Sequence, residues 1–172
     1  MKTKAAMNKG LILVFTGDGK GKTTAAVGSA VRMMEHGKRV GMVQFFKAPG
    51  RHILPHNKFR VWSFGGGFTW KVPREENIRT VQKAWKKCRE LLKDPGYALV
   101  IFDEIHIALK YKFLKTSEVI KALKNKPAMK HVILTGRSAP KALQKIADIV
   151  TEMKCVKHSF DRRVPAQPGI EF

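Results

Sequence analysis

Apolar positions along the chain fall into short runs that alternate with segments of helical period. The runs mark candidate strands at 11–15, 40–46, 59–64, 97–103, 131–135 and roughly 149–156. Candidate helices lie at 22–36, 76–93, 117–125 and 139–148, with a short helical turn near 105–111. Strands alternating with helices predict an α/β fold, a mostly parallel sheet with helices on both faces. The run Ala98-Leu99-Val100-Ile101-Phe102 is apolar at consecutive positions, as a central strand buried on both faces requires. Within 76–93, Val81, Ala84, Trp85, Cys88, Leu91 and Leu92 recur at helical spacing and form a core stripe. Asp94-Pro95-Gly96 supplies the turn that ends this helix. Thr116 is a candidate cap for the next helix, with Glu118 in its first turn. Ser138 is a candidate cap for the last, with Pro140 in its first turn.

The first strand runs into Thr16-Gly17-Asp18-Gly19-Lys20-Gly21-Lys22-Thr23-Thr24. A strand, a glycine-rich turn and a helix opening on Lys-Thr-Thr make a phosphate-binding P-loop. Backbone N–H groups point inward at an anion, and the helix N-terminus adds its positive dipole end. Lys22 supplies a point charge, and the Thr23 hydroxyl suits a Mg²⁺ ion. The usual glycine five places before Gly21 is replaced by Thr16. The expected ligand is a nucleoside triphosphate held by Gly17, Asp18, Gly19, Lys20, Gly21, Lys22, Thr23 and Thr24.

The chain of 172 residues, with 44% hydrophobic residues, suffices for one domain with a sizeable core. Residues 1–10 read as a short basic arm and 11–172 as the P-loop domain. No apolar stretch is long enough to span a membrane, and no targeting segment is evident, so the expectation is a cytoplasmic protein. Cys88 and Cys155 lie far apart without metal-ligand spacing, and both read as buried thiols. The net charge of +21 points to anionic partners, but the basic residues are scattered and fit a lysine-rich surface equally well.

The buried run 98–102 ends in Asp103-Glu104-Ile105-His106. Carboxylates at the end of a strand beside a P-loop suit a metal ion or its waters opposite Thr23. His106 alone reads as structural. After the third strand, Gly65-Gly66-Gly67-Phe68-Thr69-Trp70 displays two aromatics two positions apart. In an extended segment they point the same way, either into the core or toward a flat ligand.

Together these residues resemble the P-loop type of ATP:corrinoid adenosyltransferase. The likeness rests on Phe15 to Ala26, Gly37 to Phe45, Gly67-Phe68-Thr69-Trp70, Asp103-Glu104, Ile133-Leu134-Thr135-Gly136-Arg137, Val156 to Phe160 and Ala166 to Phe172. It covers the chain from about residue 10 to the end. The resemblance implies a P-loop NTPase-like fold and transfer of the 5′-deoxyadenosyl group of ATP to the Co(I) centre of a corrinoid. The whole triphosphate leaves, in a nucleotide lying in reverse sense to ordinary NTPases. Lys22, Thr23 and Glu104 would then be the catalytic residues, with Thr23 and Glu104 holding Mg²⁺ or Mn²⁺, and Lys20 helping to grip the triphosphate. Phe68 and Trp70 would lie against the corrin ring and keep an axial ligand off cobalt. The resemblance also implies a homodimer, and the charge suggests an acidic flavodoxin-type reductase as electron donor. The short N-terminal segment, the loop at Pro49-Gly50-Arg51, Arg162-Arg163 and Pro165 depart from the family pattern. Arg32 and Arg137 match family positions without an assigned role.

Two other readings use the same residues. A nucleic-acid-dependent ATPase or helicase-like module would draw on Asp103-Glu104-Ile105-His106 and the charge, yet such motors usually need a second domain to supply an arginine. A small-molecule kinase would share the P-loop, but nothing marks a hydroxyl acceptor site with its own base. A nucleic acid is therefore not the expected partner.

Overall fold

The computed structural model describes residues 9–48, 56–66 and 72–170. Its elements run β1 (Ile12–Thr16), α1 (Lys22–Glu35), β2 (Val40–Gln44), β3 (Phe59–Ser63), α2 (Arg74–Lys93) and β4 (Leu99–Asp103). There follow α3 (Ile105–Lys110), α4 (Thr116–Lys124), β5 (His131–Thr135), α5 (Lys141–Ile146) and β6 (Ile149–Glu152), with a 3₁₀ turn at Ser159–Arg162. The strands form one sheet in the order β3-β2-β4-β5-β1-β6. All pairings between these strands are parallel. The expected α/β class and each of the six candidate strands are therefore present.

The period of two along each strand divides the core into two layers. Val14, Val43, Val100, Phe102, Val132 and Leu134 face one layer, where α2, α3, α4 and α5 contribute Trp85, Ile105, Val119 and Leu143. Phe15, Met42, Ile101 and Ile133 face the other, covered by Ala26, Ala30 and Met34 of α1. Small residues on α1 let that helix lie close to the sheet. The predicted stripe of α2 is buried throughout, and Trp85 meets Phe102 edge-on at 6.0 Å between ring centroids. Each such fully buried side chain stabilises the fold by about 1.5–3 kcal/mol.

Several local expectations are corrected. Thr116 is the first residue of α4, and Lys115, with extended backbone, occupies the cap position. Pro140 precedes α5, while Ser138 adopts a left-handed conformation with φ 57° inside the preceding loop. That conformation places Ser138 outside the cap geometry, which needs extended backbone directly before the first helical residue. Cys88 is buried as expected, but Cys155 is exposed, because the chain after β6 passes over the surface beside the P-loop. The sixth strand stops at Glu152, and all four of its residues are exposed at the sheet edge.

Candidate active site

The strands end in polar residues on one edge of the sheet: Ser63 on β3, Gln44 on β2, Asp103 on β4, Thr135 on β5 and Thr16 on β1. In parallel α/β sheets this carboxyl edge is where ligands bind. Parallel register sets Gln44 beside both Ser63 and Asp103. Apolar runs thus deliver polar side chains to one line.

Asp103 is the centre of that line and is fully buried. Its Oδ1 accepts hydrogen bonds from the Thr23 and Thr135 hydroxyls, each at 2.8 Å. Its Oδ2 accepts from Gln44 Nε2 and Lys47 Nζ, each at 3.1 Å. Ser63 in turn donates to Gln44 Oε1 at 2.9 Å. A buried carboxylate needs such partners, since leaving one unpaired is strongly destabilising. Glu104 follows in a left-handed conformation, φ 64° and ψ 17°, at the cap of α3. Its backbone N–H donates to Thr135 Oγ1 at 3.0 Å. Such a conformation costs a non-glycine residue about 1 kcal/mol or more, and it turns the chain sharply at the site. Burial, and then the Asp103 charge, push the Glu104 carboxyl above its usual range, while Lys47, Lys22 and Arg137 act against that rise.

The P-loop lies across the same edge. Gly17 has φ 93° and Gly21 φ 102°, both in the region that favours glycine. Close approach of another segment is a second reason for Gly17 to lack a side chain, and the reason for Gly19. A Cβ at Gly17 would lie 2.3 Å from the Met153 carbonyl oxygen, and one at Gly19 2.6 Å from that of Lys154. The loop is clamped there: the Gly19 N–H donates to the Met153 carbonyl at 2.7 Å, and the Met153 N–H to the Thr16 carbonyl at 2.8 Å. Thr16, the off-pattern residue, is buried, and its hydroxyl accepts from the Ala139 N–H at 3.0 Å. It thereby ties β1 to the loop after β5. Lys22 Nζ donates to the Gly19 carbonyl at 2.5 Å. Burial, and then Arg137, lower the pKa of Lys22. Lys20, Thr24 and Asp18 are exposed.

The loop after β5 completes the edge. Gly136 has φ 132°, and a Cβ there would lie 3.0 Å from that of His106. His106 is fully buried, with Nδ1 2.9 Å from the Gly136 carbonyl oxygen. A carbonyl only accepts, so Nδ1 carries the proton, and Nε2 is left as a buried acceptor without a partner among the described residues. Burial lowers the His106 pKa to about 4, so the ring is neutral near pH 7. The expectation of a structural histidine is consistent with this placement. The next residue, Arg137, has its Nε 3.9 Å from Asp18 Oδ1 across the mouth of the loop.

The structure therefore brings Lys22, Thr23, Asp103 and Glu104 to one place. Phe68 and Trp70 lie outside the described residues, and Arg32 is exposed near the end of α1. Sequence reasoning gave no role to Gln44, Lys47, Ser63 or Thr135. One available signal was the polar residue that ends nearly every apolar run.

The donor set fits a divalent ion. Thr23 gives its proton to Asp103, which leaves its lone pairs for a cation. Among the described residues no three His, Cys, Asp or Glu side chains form a cage. Mg²⁺ suits such a site, because it usually takes one or two protein carboxylates and completes its shell with phosphate and water.

Residues 8–172 match the family model of the ATP:corrinoid adenosyltransferases BtuR/CobO/CobP. A corrinoid adenosyltransferase of Sinorhizobium sp is 43% identical over 173 residues, covering 95% of this chain and 81% of the relative. The corrinoid adenosyltransferase of Escherichia coli K12 is 40% identical over 176 residues, with 98% and 89% covered. Corrinoid adenosyltransferase CobA of Salmonella typhimurium is 42% identical over 176 residues, again with 98% and 89% covered. With the match spanning nearly its whole length, the chain belongs to the ATP:corrinoid adenosyltransferase family.

Proposed function

We propose that this protein transfers the 5′-deoxyadenosyl group of ATP to the Co(I) centre of a corrinoid and releases triphosphate, in coenzyme B12 synthesis or salvage. The observation that carries this reading is the 2.8 Å hydrogen bond from Thr23 to the buried Asp103, within a chain that matches the family over residues 8–172. It ties the P-loop to the carboxylate edge of the sheet, so a triphosphate and its metal would meet both.

The lone pair of Co(I) forms a bond to C5′ of ATP. The C5′–O bond breaks, and its electron pair leaves with the triphosphate oxygen. No nucleophile has to lose a proton, so the step requires no general base. The protein's task is to receive charge on the leaving group. The P-loop N–H groups, apart from that of Gly19, and Lys22 would do that, with Lys20 at the rim. Thr23 and Glu104 would hold Mg²⁺ or Mn²⁺, with Asp103 orienting the Thr23 hydroxyl from behind. When bound, the ion supplies further neutralisation of the triphosphate. The neutral His106 is held by Gly136 and would position the loop carrying Arg137.

The aromatic wedge of Phe68 and Trp70 against the corrin is part of this proposal and rests on the family resemblance. So does a homodimer; a cytoplasmic location is also part of the proposal. The net charge of +21 supports an acidic flavodoxin-type reductase as electron donor. No described helix is long and apolar enough to cross a membrane. The helicase-like alternative draws no support from the relatives named above.

The test is to mix the protein with MgATP and chemically reduced cobalamin and identify the products. Adenosylcobalamin with triphosphate is expected. ADP and phosphate, stimulated by nucleic acid, would sink the reading.

A further inference from the structure

Lys47 lies just beyond β2 and takes no part in the motifs of the P-loop or the acidic strand end. Its ammonium nevertheless sits 3.1 Å from Asp103 Oδ2. The two partners differ sharply in environment: the Lys47 side chain is 39% exposed and that of Asp103 0%. Thr23 holds the opposite oxygen of the same carboxylate. A divalent ion bound at Thr23 and Glu104 would thus arrive beside a carboxylate already neutralised by an organic cation.

The two cations compete. A dication a few ångströms from an ammonium repels it, and the repulsion is strong where the surroundings exclude water. Lysine is suited to yield, being a compact charge on a flexible four-carbon stem. Its side chain is 39% exposed, so water can take up the ammonium as it leaves the carboxylate. Asp103 would not be orphaned by the departure, because Thr23, Thr135 and Gln44 still donate to it. The released ammonium would face the mouth of a site that also gathers Lys22 and Arg137, the cations acting with it on Glu104. The anion that such a cluster fits is the polyphosphate.

We propose that Lys47 is a further triphosphate-binding cation, parked on Asp103 in the free protein and transferred to the phosphates when a divalent ion binds at Thr23 and Glu104. This rests on the proposed use of the site for a metal–triphosphate complex. It predicts effects of opposite sign on two ligands, which a merely structural lysine would not produce. In Lys47→Met, Mn²⁺ alone, followed by the electron paramagnetic resonance of free Mn²⁺, is expected to bind severalfold tighter because its competitor is gone. Tripolyphosphate, titrated calorimetrically with Mn²⁺ in excess, is expected to bind about tenfold or more weakly, the loss of one charge-assisted hydrogen bond. Lys47→Arg keeps the charge and should return both affinities toward the parent values. Failure of Mn²⁺ to bind tighter, or of tripolyphosphate to bind more weakly, overturns the exchange. Neither titration contains a corrinoid, so their outcome is separate from that of the product assay.

Discussion

The sheet buries a charged residue at each end, and the two are treated differently. At the carboxyl edge, Asp103 is held by four side chains, from Thr23, Gln44, Lys47 and Thr135. At the opposite edge, Lys130 precedes β5 and is 4% exposed. Its Nζ donates to the main-chain carbonyls of Leu91 at 3.3 Å, of Asp94 and of Tyr97. Leu91 and Asp94 lie at the C-terminus of α2, where unpaired acceptors and the negative end of the helix dipole favour a cation, and Tyr97 lies in the turn before β4. Side-chain partners can be exchanged for a ligand; main-chain partners are fixed by the fold. One buried charge is therefore held by exchangeable partners and the other by fixed ones.

The strongest challenge to this contrast is Lys130→Met, which leaves three carbonyls without their donor. It is expected to lower unfolding stability by about 3 kcal/mol, read from urea midpoints at unchanged slope, with transfer activity per folded molecule preserved. A parallel loss of activity would mean that the far edge is not purely architectural. Next comes Asp103→Asn. It keeps the shape but removes the charge behind Thr23, and single-turnover transfer is expected to fall about 100-fold with little change in melting temperature. If melting drops and transfer survives, the contrast is reversed.

His106 sharpens the comparison, because it is buried at the carboxyl edge yet bonded to a main-chain carbonyl. Its folded pKa of about 4 lies below the ordinary value of 6.5. Between those values the unfolded chain binds a proton that the folded one does not. Stability therefore rises with pH through that window and is lost as pH falls from about 6.5 to about 4. The slope contributed is at most about 1.4 kcal/mol per pH unit. His106→Gln should remove that contribution from urea titrations repeated across the window. An unchanged slope would show that the histidine already titrates normally in the fold.

Much of the chain was legible in its pattern. The apolar runs located all six strands, since a strand covered on both faces must be apolar at consecutive positions. Boundaries moved by a few residues where the pattern outran the hydrogen bonds. Phe45 and Phe46 are buried beyond the end of β2, for instance. Burial depends on packing and not on strand pairing, so the apolar signal continued past Gln44. The candidate site was legible where chemistry and spacing coincide, as in Lys22-Thr23 and Asp103-Glu104, which the fold brings to one edge. It was not legible at Lys47 or Lys130, two among 34 lysines and arginines that composition does not distinguish.

The sequence by itself determined the element order, the phosphate loop, the strand ending in two acids and the family. Each depends on residues that are neighbours in the chain, where local sterics and periodicity act directly. Only the tertiary structure decided that Thr23 and Asp103, 80 positions apart, share a hydrogen bond. It also decided that Thr16 braces the loop after β5, and that Gly17 and Gly19 are needed by the chain that crosses them. Strand order placed β4 two strands away from β1, and the common register of the strand ends did the rest. Desolvation then selects which of many charged residues have partners, and that choice is made by the assembled fold.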